Sequence, residues 1–100
     1  MEWLETIHLQ AGKGLSQKVK KHLFELTCKI KSQNNEPGLQ MVKAFWHSSH
    51  KADHVLFLFW DSASVPSNGS ALGVRLEKIM NQYGLTDHNT WLPAKGDYHE

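Results

Sequence analysis

A ferredoxin-like α+β fold, an antiparallel sheet with two helices on one face in the order β-α-β-β-α-β, is what this sequence predicts, and three observations predict it. Hydrophobic residues alternate or run together in four segments and recur at three- and four-residue steps in two others. These segments alternate in the split βαβ order, which right-handed crossovers and pairing of neighbours gather into one sheet. The third extended segment, DHVLFLFWDS at 53–62, holds six consecutive apolar residues from Val55 to Trp60, so both of its faces must leave water.

Each element has its own signal. Residues 3–10, WLETIHLQ, read as a first strand: Trp3, Ile7 and Leu9 share a face with Glu5 between them, and Thr6, His8 and Gln10 take the other. Gly12-Lys13-Gly14 ends it. A helix runs from Ser16, a candidate N-cap, to about Ser32, with Leu15, Val19, Leu23, Leu26 and Ile30 as one apolar stripe. Phe24 and Cys28 fall off that stripe, as a small exposed patch or the seat of a terminal segment. Pro37 and Gly38 make a turn, Gly38 allowing a positive φ. Residues 39–47 form a second strand, SSHKAD a hairpin, and 54–60 the third strand. Breakers at Pro66 and Gly69 mark the loop DSASVPSNGS. Leu72, Leu76, Ile79, Met80 and Tyr83 then give a second stripe, with Gly84 expected as the helix C-cap. A last strand at about 88–92 stops before Pro93.

Two helices cover one face of such a sheet. Either Leu56, Leu58 and Trp60 or Val55, Phe57 and Phe59 meets them, and the other set lies bare. At about 25 cal/mol per Å² of apolar surface, two Phe and a Val left in water forgo several kcal/mol. A second copy, packed sheet against sheet about a twofold axis, is the expected cover.

Composition bounds the function. At 100 residues and a net charge of +1, the chain reads as a single domain spanning 1–100, with no basic excess for nucleic acid or anionic membrane. Lys18, Lys20, Lys21, Lys29 and Lys31 read as a solvated helix face. No segment approaches the ~18 apolar residues of a membrane helix, no signal pattern opens the chain, and Cys28 is alone. The expectation is a cytoplasmic protein.

Three stretches, TIHLQAGKGLSQKV, Glu36-Pro37-Gly38 before the second strand, and FLFWDS, together resemble the antibiotic biosynthesis monooxygenase (ABM) family of dimeric α/β barrels over roughly residues 5–94. The resemblance implies homodimers joined through their sheet faces, with a pocket in each protomer between its own helices and sheet. It also implies a cofactor-independent monooxygenase acting on a small aromatic phenol or quinol, with neither cofactor nor metal. Trp60 matches the family's strand-ending Trp, and its flat face and single N–H suit a planar aromatic carrying an anionic oxygen. With Leu56 and Leu58 on its face and Leu23 on the helix opposite, Trp60 is the expected substrate-binding wall. Trp60 and Tyr83 are the catalytic candidates.

Departures from the family pattern matter as much. Its haem-degrading members use a His on the second helix and an Asn on the first strand, and this sequence has neither. Its oxygenases often place an Asn on the Trp strand, which here is apolar throughout. Candidates for the base that forms the phenolate are His8, Tyr83 and His22, and His8 faces away from the helices if Trp3 faces them. His47, His50 and His54 are spaced H-x2-H-x3-H, but they sit across a turn and read as solvent-exposed. The loop after Trp60 lacks the family's lid helix. Two functions therefore stay open: the monooxygenase, and a non-catalytic ligand-binding or structural barrel whose pocket its own side chains fill. A pocket with converging polar groups separates them.

Overall fold

The computed structural model describes residues 1–33 and 35–94. Its elements are β1 (Glu2–Ala11), α1 (Ser16–Gln33), β2 (Leu39–Trp46), β3 (Asp53–Asp61), α2 (Ala71–Asn81) and β4 (Gly84–Trp91). The strands form one antiparallel sheet in the order β2-β3-β1-β4, with both helices on one face. This is the ferredoxin-like arrangement that the sequence predicts.

The alternation of β3 settles which face is covered. His54, Leu56, Leu58 and Trp60 are buried beneath the helices, while Val55, Phe57 and Phe59 stay half-buried or exposed. Pairing carries the same division across the sheet. Trp3, Glu5, Ile7 and Leu9 of β1 join the buried face opposite Val19 and Leu23 of α1 and Leu72, Leu76 and Met80 of α2. The open face keeps Leu4, His8, Met41, Phe45, Leu85 and Trp91, with Phe57 packed edge-on against Phe45 at 5.4 Å. Trp91 anchors itself there by donating its indole N–H to Thr6 Oγ1 at 2.7 Å.

Boundaries differ from expectation in instructive places. β4 begins at Gly84, four residues early, because its covered side (Thr86, His88, Thr90) is polar and gives no hydrophobic alternation. Gly84 is therefore no helix cap; Gln82 holds that place. What Gly84 supplies is absence of bulk: a Cβ there would strike the Gln10 carbonyl oxygen of β1. Gly38 does turn with φ +86°, and its carbonyl accepts from the Asp61 N–H at 2.8 Å, tying the turn to the end of β3. Among the described residues no helix is long and apolar enough to cross a membrane.

Candidate functional site

Two polar centres interrupt the buried face, one at each side of the sheet. The first is built on Glu5, in the central strand and 0% exposed. A carboxylate there is tolerable only if its oxygens are answered. Four donors answer them: Trp60 Nε1 at 3.0 Å, the Ser70 backbone N–H at 2.9 Å, Ser70 Oγ at 2.7 Å and His88 Nε2 at 2.6 Å. His88 Nδ1 reaches Glu77 Oε1 at 3.1 Å, so the imidazole bridges a buried carboxylate to a half-buried one. Ser70 also caps α2, accepting from the Gly73 N–H at 2.8 Å. Gly69 and Gly73 leave the room: a Cβ on either would land on Glu5 Oε2. Trp3 stacks on Trp60 at 5.5 Å and donates to Ser62 Oγ at 2.8 Å. The loop 62–70 is thus pinned at both ends to side chains of β1.

The second centre lies where α1 passes over β2. A cleft of about 360 Å³ opens between them, floored by Leu23, Val42 and Ala44 and walled by Phe24 and Trp46. His54 lines it from β3 and is 1% exposed. It is not the exposed turn residue that its place beside SSHKAD implies; β3 starts one residue earlier, and alternation turns His54 under α1. Ser16 Oγ donates to the Lys51 carbonyl at 2.5 Å, so it can only accept from His54 Nε2, 3.2 Å away. Burial first, and the Lys20 ammonium second, hold this imidazole's pKa below its usual value, against smaller opposing effects of Asp53 and the Lys51 carbonyl. The ring is then neutral at pH 7 with its proton on Nε2, which leaves Nδ1 with a bare lone pair. Among the described residues Nδ1 has no partner. Lys20 also sits 4.4 Å over the Trp46 ring, closing one end of the cleft.

The residues expected from the sequence divide between these centres. Leu23 lines the α1/β2 cleft, and Leu56 and Leu58, fully buried, back its floor opposite Ala44 and Val42. Trp60 is buried with its indole N–H on Glu5, and borders a separate hollow of about 430 Å³ that includes Leu4, Met41, Phe59 and Trp91. Tyr83 lies between the helices, its hydroxyl 2.5 Å from His22 Nδ1. His8 is exposed on the open face. His47 and His50 are exposed, with His47 Nδ1 accepting from the backbone of Ser49 and His50, and no metal-holding group of His, Cys, Asp or Glu occurs among the described residues. Glu5 and His88 carried no sequence motif. The one visible hint was an acid set between Trp3 and Ile7 on a face otherwise apolar.

No family model and no curated protein matches the sequence. Solved structures do match the fold. Rv0793 from Mycobacterium tuberculosis superposes with a TM-score of 0.65 at 12% identity, covering 95% of this chain and 97% of that one. SnoaB, a cofactor-independent oxygenase from Streptomyces nogalater, superposes with a TM-score of 0.66 at 9% identity, covering 94% of each. At such identities the likeness is one of architecture, and the chain has the ferredoxin-like α+β fold of these structures.

Proposed function

We propose that this protein is a cofactor-independent oxygenase of a small aromatic phenol or quinol, bound in the α1/β2 cleft, with His54 as the base. The observation that supports it is the buried neutral imidazole of His54, its tautomer set by Ser16 and Nδ1 left without a partner. A substrate hydroxyl reaching Nδ1 would give up its proton there. The resulting phenolate, electron-rich enough to reduce oxygen directly, needs no metal or flavin; a ring C–H ortho or para to its oxygen becomes C=O, one oxygen atom enters the product and the other leaves as water with the phenolic and ring hydrogens. The Lys20 ammonium beside the cleft favours the anion. The volume falls within the usual range of about 300–1,000 Å³ for small-molecule sites. In this reading Leu23 touches substrate, Leu56 and Leu58 support the floor, and Trp60 and Tyr83, with their polar atoms on Glu5 and His22, brace the site from behind. A second copy covers the open sheet face.

Oxygen uptake with anthrone and hydroquinone substrates tests this. His54→Gln should cut turnover about a hundredfold or more while the fold persists. Trp60→Phe should cost stability rather than turnover. The reverse result would move the site to Trp60. One observation favours a second reading, a ligand-binding barrel without catalysis: the helix-facing side of Trp60 is occupied by Trp3, Leu58 and the Glu5 network. Ligand binding without oxygen uptake by any substrate would select it.

A further inference from the structure

The α1 side of the cleft is a single stripe. Lys20, Leu23, Phe24, Thr27, Cys28 and Lys31 fall at i, i+3, i+4, i+7, i+8 and i+11, so they line one face of the helix over about 16 Å. Phe24 is 67% exposed, far more than a helix residue beside a sheet needs to be, and nothing of the described chain covers it. The stripe is apolar in its middle and cationic at both ends.

Its two ends differ. At the Lys20 end lie Trp46 and, paired with it across the strands, His54. At the other end lies Lys31, and Lys43 of β2 borders the cleft between the two. Glu36 borders the adjoining hollow, but its carboxylate is held by Arg75 at 3.3 Å. Among the described residues neither Lys20 nor Lys31 has a carboxylate within ion-pair distance, and no acid lines the cleft.

From this polarity we infer, resting on the cleft reading above, that the ligand is an elongated planar aromatic acid. Its hydroxyl lies at His54 and its carboxylate at Lys31, with the rings between Phe24, Trp46 and the Leu23–Val42 floor. Flat rings fit a slot whose walls are aromatic and whose floor is aliphatic. A carboxylate at the far end answers a lysine that has no counter-charge among the described residues, and it fixes which end of the molecule enters first.

The probe is 6-hydroxy-2-naphthoate, which carries the two groups at opposite ends of a rigid ring pair, set against its methyl ester, which has the same shape and no charge. Calorimetric titration of the full chain should show the acid binding roughly three- to fivefold more tightly than the ester, as expected for one partly exposed charge contact. Lys31→Gln should lower that preference about threefold. Lys78→Gln, a cation removed from α2 well away from the cleft, should leave it unchanged. Equal binding of acid and ester overturns the charge assignment and leaves the cleft as a site for neutral phenols. Equal losses in the two lysine variants also overturn it, by making the preference a general field effect. If neither probe binds, the carboxylate assignment and the cleft reading fall together.

Discussion

His54 and Glu5 are both buried polar side chains on an apolar face, and they differ in how fully their neighbours answer them. Every oxygen of Glu5 meets donors, whereas His54 holds one hydrogen bond and an unpartnered nitrogen. The consequence for His54 is a pH dependence with a definite sign. Its folded pKa lies below that of the unfolded chain, about 6.5. The unfolded state therefore takes the proton first, so stability is intact above about pH 6.5 and falls as the pH drops below that value towards the folded pKa. Urea unfolding between about pH 8 and about pH 5 should show a steeper decline in wild type than in His54→Gln. Parallel profiles would remove His54 as the source. At this scale the sequence was partly legible. It places Glu5 on the covered face but cannot show its role, because its partners Ser70 and His88 lie 65 and 83 residues further along the chain. His54 was misread because it was assigned to the hairpin turn, whereas within the strand it shares alternation with Leu56, Leu58 and Trp60 and so takes the covered face.

Among the elements, α2 shows how a local rule inverts when the site intrudes. Glycine inside a helix costs about 1 kcal/mol relative to alanine, so Gly73→Ala should ordinarily stabilise. Here the added methyl would strike the Glu5 carboxylate, whose position is fixed by its four donors. Gly73→Ala is expected to lower the melting temperature by several degrees in a thermal scan, for a loss of about 1–2 kcal/mol. A rise instead would mean that Glu5 can move aside. Both helices and the first three strands could be read from periodicity, because their partners are apolar and their stripes carry the information. β4 could be read only in part, since Thr86, His88 and Thr90 face the Glu5 network rather than an apolar core. The cleft was half visible: Phe24 and Cys28 stood off the helix stripe, yet a sequence cannot show that β2 leaves a gap beside them.

For the whole molecule the governing fact is a four-stranded sheet with one face clad and the other bare. Phe45, Phe57, Phe59 and Trp91 on that bare face form a contiguous aromatic surface of the kind that self-association buries. Light scattering at micromolar concentration should report a dimer for wild type. Phe57→Asp, which removes a central ring of the patch without touching the helix-side core, should report a monomer. A monomeric wild type would refute the sheet-to-sheet pairing.

The four tryptophans are distributed so that the molecule's own light reports on its parts separately. Trp3 and Trp60 are stacked in the core, Trp46 stands at the cleft beneath Lys20, and Trp91 lies on the bare face. Emission from the first two is shielded and changes only when the core opens. Trp46 is the lamp a ligand would dim, and Trp91 the one a second copy would shade. Single Trp→Phe replacements at 46 and 91 would therefore turn one fluorescence trace into independent records of occupancy and assembly, without any added dye.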